Sequence, residues 1–434
     1  MSKMKESGIP WIGKIPAEWG ENKIKYVAEI NPPLMTKYNE NEAVGYIPME
    51  AVKNGYVKPL KRKKSDLSTG LTGIQENDII MAKVTPCFEN GNIAIASGLS
   101  QNIAFGSSEL FVFRAKEAFN RRYLFYYLQN AGFMNVCVST MTGTGGLKRI
   151  SSQFVKNAYI TYPVITEQRA IADYLDDRCS KLDEIIREAE KSIEEYKELK
   201  QAVIFETVTK GLDKNVEMKE SGVEWLGEVP SAWKIVRLKY LLTHLIDCPH
   251  ETPNYTPDGD YYVIRTADQD LGFLRPDENM YRLNEKEYIN RIRRLALEKD
   301  DIVYGREGER WGIACIIPEN KKYCLGQRML HFRCNMEKIV PRFLMWALNS
   351  SGVRMQGVLD TMGSTSPHVN ISTVRNFSIP IPDIQSQIAI VDYLDNRVGD
   401  MDALISEKQS LIEDLKAYKK SLIYEVVTGK RRVV

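Results

Sequence analysis

The sequence predicts an α+β protein of two tandem copies of one unit. Two mixed α/β bodies are separated by two long helices, which pair as an antiparallel coiled coil about an internal pseudo-two-fold axis. Three observations carry this. Residues 4–19 (MKESGIPWIGKIPAEW) return at 218–233 (MKESGVEWLGEVPSAW) with nine of sixteen positions identical. Residues 168–182 (QRAIADYLDDRCSKL) return at 387–401 (QIAIVDYLDNRVGDM), and VIFETVTKG (203–211) returns as LIYEVVTGK (422–430). Between Thr166 and Thr209 there is neither glycine nor proline, and apolar residues recur at intervals of three and four. A separation of 214 residues for the first pair and 219 for the second makes the whole chain a duplication. Its parts fall at 1–165, 166–212, 213–383 and 384–434.

Each body mixes strand and helix signals. In the first, ENDIIMAKV (76–84) and ELFVFR (109–114) read as strands, RRYLFYYLQNAGF (121–133) as a helix ended near Gly132, and YITYPV (159–164) as a last strand stopped by Pro163. In the second, KDDIVYGRE (299–307) occupies the same relative place, IACIIP (313–318) and MLHFRC (329–334) are strands, RFLMWALNS (342–350) is a helix, and SIPIP (378–382) closes the body. Asp383 suits a helix cap.

The heptad seam runs through Leu182, Ile185, Ala189, Ile193, Tyr196, Leu199 and Val203 in the first helix. In the second it runs through Met401, Leu404, Leu411, Leu415, Tyr418 and Leu422, with local slips at Ser192 and Lys408. An amphipathic helix of this length needs a partner for its apolar face, and the other copy is the obvious one. A break is expected near Asp176–Asp183, with QRAIADYL (168–175) as a short first helix that turns into the long one. Apolar residues outside the seam, namely Ile186, Ile204, Phe205, Ile405 and Ile423, are candidates for docking a partner protein or for further seam packing.

Charge is unevenly divided. Residues 167–206 sum to −5 and residues 385–428 to −3, against +2 for the whole chain, which leaves +10 for everything else. Phosphate binding needs local positive potential, which the bodies can supply and the long helices cannot. The candidate contacts in the first body are Lys61, Arg62, Lys63 and Lys64, which with Lys58 put five cations in seven residues, then Lys83, Lys148 and Arg149. In the second they are Arg291, Arg293, Arg294 and Arg310, with Arg265, Arg306 and Arg328 as candidate base readers, because arginine grips guanine with a two-pronged fork. The small-residue segments TGTGGLKRIS (142–151) and MGSTSPHVNIS (362–372) could bring backbone N–H groups close to phosphate, or form ordinary turns.

Catalytic and metal signatures are weak. Asn31-Pro32-Pro33-Leu34 imitates the motif with which amino-group DNA methyltransferases hold a flipped base, but leucine replaces the aromatic and no cofactor loop precedes it. There is no Walker ATP motif. The Cys248-Pro249-His250 pair lacks the companions that zinc or a nucleophilic site needs. Seven cysteines without a C-x-x-C suit a reducing compartment, the first residues do not read as a signal peptide, and no apolar run is long enough to span a membrane.

The order of these motifs, twice over, resembles the specificity subunit of type I restriction-modification systems. QRAIADYLD (168–176) and QIAIVDYLD (387–395) are similar to its Q-x-x-I-x-x-Y-L-D run, each followed by a long helix and a VTG-like end, VTKG (208–211) and VTGK (427–430). SGIPWIGKIPAEW (7–19) and SGVEWLGEVPSAW (221–233) resemble the segment preceding each target recognition domain, and IDCPHETPNY (246–255) resembles a D-G-x-H-x-T-P element, with Cys248 in place of the glycine. The resemblance implies two target recognition domains that read the halves of a split, asymmetric sequence in double-stranded DNA. It implies helical spacers that set the gap and dock two methyltransferase subunits, and restriction subunits in the full complex. This chain would then be non-catalytic and without a cofactor, with S-adenosylmethionine, ATP and magnesium on its partners. It would be cytoplasmic, in a bacterium or archaeon. Two other readings stand beside this one: a scaffold whose bodies bind proteins, and a stand-alone DNA methyltransferase.

Overall fold

In the computed structural model, residues 3–144, 146–362 and 367–433 are described. The chain divides into two compact units, one formed by Met1–Glu190 with Gln409–Val434 and the other by Lys191–Lys408. Each long helix contributes to both units: the first runs Ile165–Lys210, the second Ile384–Val427.

The first unit holds two four-stranded sheets. One is antiparallel, in the order Ala28–Ile30, Leu110–Ala115, Ile79–Ala82, Ile93–Ile95. The other is mixed, in the order Leu60–Lys63, Ala43–Ile47, Ile103–Gly106, Thr72–Gln75, with one parallel pair between its middle strands. Buried Ile79, Met81, Phe111 and Phe113 project from one sheet toward Tyr123, Tyr127 and Leu128 of the helix Arg121–Gln129, and the same core takes in Leu422 and Val426 near the chain's end.

The second unit repeats the plan with one strand fewer. Its antiparallel sheet runs Leu242–Asp247, Met329–Cys334, Ile302–Gly305, Ala314–Ile316, and its mixed sheet Tyr281–Leu283, Tyr261–Ile264, Tyr323–Leu325. The expected strands at 299–307, 313–318 and 378–382 form with trimmed ends, the strand at 329–334 forms over its full length, and the helix expected at 342–350 runs Pro341–Asn349.

Two local expectations fail for visible reasons. The aromatic helix ends at Gln129, and a second helix, Ala131–Ser139, starts around Gly132 instead of stopping there. Asn130 makes the break: it is extended (φ −65°, ψ 143°), and its side chain accepts from the Phe133 N–H to cap the second helix. Gly132 is required because a Cβ there would lie 2.1 Å from the Trp11 ring. The first long helix also runs unbroken through Asp176–Asp183. Its carboxylates are neutralised in place: Asp176 takes Arg122 and the Tyr126 hydroxyl, Asp173 takes Arg122, and Asp177 takes Lys181 one turn on. Asp383 caps the second long helix, with Ser386 N–H and Oγ at 3.0 and 2.7 Å.

The scaffold contacts recur in both units. Gln168 accepts from Asn120 N–H and donates to the Pro163 carbonyl, and Gln387 does the same with Val340 and Pro382. Trp346 and Arg342 share Asp395 as Tyr126 and Arg122 share Asp176. Lys5 and Lys219 each donate to the carbonyl of the second tryptophan of their motif, Trp19 and Trp233. The repeated residues thus carry the joints between each body and its helices.

The long helices pair antiparallel. Asp183 meets Lys419 at 2.6 Å in the first unit, and Asp402 meets Lys200 at 2.6 Å in the second. These are the same pair of repeat positions, 219 apart, used reciprocally. The seam differs from the expected one by a single step. Leu182, Ile186, Ala189, Ile193, Met401, Ile405, Ile412 and Leu422 are buried, whereas Ile185 (45% exposed), Leu199, Leu404, Leu411 and Tyr418 face solvent. Tyr196, Val203 and Leu415 are half-buried. Of the five apolar positions read as lying outside the seam, Ile186 and Ile405 are buried within it, Ile204 and Ile423 lie within the cores, and Phe205 is half-buried.

Candidate nucleic-acid interface

In the first unit the strand Leu60–Lys63 forms an edge of the mixed sheet, and all four of its residues are exposed. Lys61, Arg62 and Lys63 make no ion pair among the described residues. Lysines on an edge strand discourage pairing with another chain while leaving their charge available. Lys64 begins the following turn, its ammonium 4.3 Å from the centre of the Phe105 ring. Lys83 lies over Phe111 at 5.5 Å. Lys148 and Arg149 follow the segment that contains Gly145, which is outside the described residues. The Lys148 N–H donates to Thr85 Oγ1, leaving its ammonium free of ion pairs among the described residues, while Arg149 is held by both oxygens of Glu109 at 3.0 Å.

The arginines of the second unit separate into two groups. Arg291 is buried and clamps the carbonyls of Leu325, Glu251 and Pro249. Arg310 is half-buried and donates to the carbonyls of Thr266 and Gln269. Arg306 is 4% exposed, lies between Asp247 (3.4 Å) and Glu307 (3.1 Å), and points Nη1 at the His368 ring. These three hold loops together and do not extend from the surface. Arg293 and Arg294 are exposed at the end of the helix Glu285–Ile292, Arg294 resting on the Asp247 carbonyl. The Arg328 side chain is about half exposed, 3.7 Å from Glu307. Arg265 is half-buried beside a turn, its Nε and Nη2 on Asp268.

The enclosure of Arg306 has no signal in the sequence, because Asp247, His250 and His368 lie far off along the chain. The His250 ring nitrogen is 2.9 Å from Asp247, and His368 is 3.2 Å from Glu307. Cys248 and His250 do not form a pair: the thiol is buried against Met329 N–H, and burial pushes its pKa up, while the imidazole is exposed on Asp247. Asn31 accepts from Val112 N–H at positive φ (51°) and Pro33 accepts from Arg114, so this motif is a turn at a sheet edge. The seven cysteines are free thiols. Among the described residues no His, Cys, Asp and Glu group is placed to hold a metal ion, and no helix is long and apolar enough to cross a membrane. The second small-residue segment lies partly at 363–366, outside the described residues.

Each unit also has a buried carboxylate held by a partly exposed arginine. Arg114 grips Asp78 with two hydrogen bonds of 2.8 and 2.7 Å, and Arg333 grips Asp301 at 2.9 and 2.8 Å. His331 adds a third partner to Asp301 at 2.8 Å. Burial alone would raise the Asp301 pKa, but the hydrogen bonds from Arg333 and His331 outweigh it and hold the carboxyl down at about 2.

Comparison with known proteins agrees with this architecture. Residues 16–195 and 230–414 match the family model of the type I restriction modification DNA specificity domain. The specificity subunit of the type I restriction enzyme EcoAI from Escherichia coli is 31% identical over 195 residues, 44% of this chain and 33% of that one, so this chain spans only a third of its length. The MjaVIII specificity subunit from Methanocaldococcus jannaschii is 23% identical over 431 residues, 97% of this chain and 94% of that one. A chain solved in work on complex assembly and conformational transition of the type I R-M system superposes with a TM-score of 0.72 at 18% identity, covering 96% of this chain and 99% of that one. The HsdS subunit from Thermoanaerobacter tengcongensis gives 0.50 at 18% identity, over 96% and 98%. With the family model covering both halves of the duplication, the chain belongs to the type I restriction-modification specificity subunits, the non-catalytic, DNA target-recognising members of those systems.

Proposed function

We propose that the chain reads a bipartite, asymmetric target in double-stranded DNA, one part with each body, and holds two methyltransferase subunits on its long helices. The observation that carries this is the contrast between repeated joints and unrepeated surfaces: the two bodies share their contacts to the long helices but expose different cations, lysine-rich at 61–64 and arginine-rich at 265, 293, 294 and 328. Lysines position a duplex by its phosphates, and arginines can also discriminate bases. Lys83 and Lys148 extend the first surface. The exposed apolar residues Ile185, Leu199, Leu404, Leu411 and Tyr418 are the face offered to the methyltransferases. In the full assembly, restriction subunits join. S-adenosylmethionine, ATP and magnesium belong to those partners, and the complex works in the cytoplasm of a bacterium or archaeon.

The test is sequencing of adenine-methylated sites in DNA modified by the assembled complex. Two short blocks at a fixed gap are expected. One uninterrupted block, or methylation with no shared sequence, would overturn the reading. Docking is tested separately: Leu404→Glu with Leu411→Glu should abolish co-purification of the methyltransferase while the chain stays folded.

A further inference from the structure

The Arg265 side chain is 25% exposed, and its position is fixed from three sides. Its backbone N–H and Nε donate to Asp268 Oδ2 at 2.9 and 2.8 Å, and Nη2 donates to Oδ1 at 2.7 Å. Asp268 is 3% exposed, so the anchor is rigid. The guanidinium lies over the Tyr281 ring, with Cζ 3.7 Å from the ring centre. Tyr281 in turn meets Tyr255 edge-on at 4.6 Å between centroids. Both tyrosines are exposed, at 48% and 40%, and Tyr281 sits in the edge strand Tyr281–Leu283. Nη1 has no hydrogen-bond partner among the described residues.

A guanidinium has five N–H donors in one plane. With the Nε–Nη2 edge on Asp268, the Nη1–Nη2 edge still presents a fork of two donors, and stacking on Tyr281 sets the plane in which it lies. An arginine on a flexible stem loses rotamer freedom when it binds; this one has already lost it. A two-donor fork in a set plane matches the two acceptors, O6 and N7, that guanine presents in the major groove, and it mismatches adenine, which has a donor beside its acceptor. In the first unit Arg149 has the same carboxylate clasp on Glu109 but no aromatic ring beside it among the described residues, and the place equivalent to Arg265 holds no arginine. There Tyr46 pairs with Leu60 where Val263 pairs with Tyr281, and the turn Met49–Ala51 is flanked by Pro48 where the second unit has Arg265.

The geometry points to Arg265, buttressed by Asp268 and Tyr281, as the residue with which the second body reads a guanine of its half-site. This rests on the DNA-reading function proposed above. The same fork could take a phosphate, and the test separates the two.

The full-length chain is used to select binders from a randomised double-stranded DNA library, alongside Arg265→Ala, Arg265→Lys and Tyr281→Ala. The wild type should enrich a motif. Arg265→Ala should lose about ten- to a hundredfold of the discrimination at one G·C pair while the other positions persist. Arg265→Lys should not restore it, because an ammonium has no fork, and Tyr281→Ala should blur the same base pair less severely. Tyr281→Ala carries the test should Arg265→Ala fail to fold by circular dichroism. Variants that keep every base preference overturn the assignment, and so does an equal loss on selected and random duplex, which marks a phosphate contact. Either result leaves the DNA-reading function standing. A wild-type chain that enriches no sequence overturns both.

Discussion

The two bodies are alike where they meet the long helices and unlike where they meet solvent. At the joints, Gln168 and Gln387, Asp176 and Asp395, and the two interhelical Asp–Lys pairs repeat almost bond for bond. On the outer sheets, a run of three lysines and an arginine without ion pairs among the described residues offers one way of making contact, and an arginine over a tyrosine ring with its carboxylate another. A duplicated protein can change what it touches only where a side chain has no neighbour to satisfy. Residues that close a buried hydrogen-bond network resist change, because leaving a partner unpaired costs more than giving up a surface interaction.

The largest expected effect probes the shared part. Asp78→Ala and Asp301→Ala should each destabilise by about 3–5 kcal/mol, since each strands an arginine behind a sheet. Asp301→Ala should be the more severe because it also strands His331. Thermal unfolding of both variants checks this, and a minor effect from either would show that the two networks are not equivalent.

Acid should sharpen the same contrast. The Asp301 carboxyl is held at about 2 in the folded chain against an ordinary 3.8, so its contribution is fully present above pH 4 to 5 and is lost as pH falls through 4 toward 2. That contribution is about 2 kcal/mol. The acid-induced loss of stability between pH 5 and pH 2 should therefore be reduced in Asp301→Asn, as measured by urea unfolding at several pH values.

Smaller effects belong to the surfaces. Lys61→Ala with Lys63→Ala should weaken binding to all duplexes alike and lower the salt slope by about 0.9 for each phosphate no longer neutralised. Binding titrations at several salt concentrations distinguish this from the base-selective loss expected at Arg265. The smallest effect is at the interhelical pairs. Exchanging Lys200 and Asp402 should cost less than about 1 kcal/mol, as partly exposed ion pairs do.

Much of this is legible in the sequence. The strands of both bodies and the two long helices show in the apolar pattern, and the duplication shows in the repeated motifs. At Ile185, Leu404 and Leu411 the seam takes the next residue instead, because Ile186, Ile405 and Ile412 are equally apolar neighbours and only the partner helix decides which is covered. The repeats hold the signal that resolves it: Ile186 and Ile405 are equivalent and both buried, and Asp183 and Asp402 are equivalent and both find lysines. The break at Asn130 is hidden because an asparagine after an aromatic run also suits a helix end. Arg306 cannot be told from a surface arginine, since the groups that enclose it arrive from strands and loops distant in the chain.

If each body reads its own part of the target and the repeated joints merely carry it, the bodies should be exchangeable. Replacing residues 234–381 with residues 20–162 gives a chain with two copies of the first body, in which Asn120, Arg122 and Tyr126 meet Gln387 and Asp395 in place of Val340, Arg342 and Trp346. Selection from a randomised duplex library should then return the first half-site twice and no trace of the second. Recovery of the original asymmetric target by this chain would contradict the account.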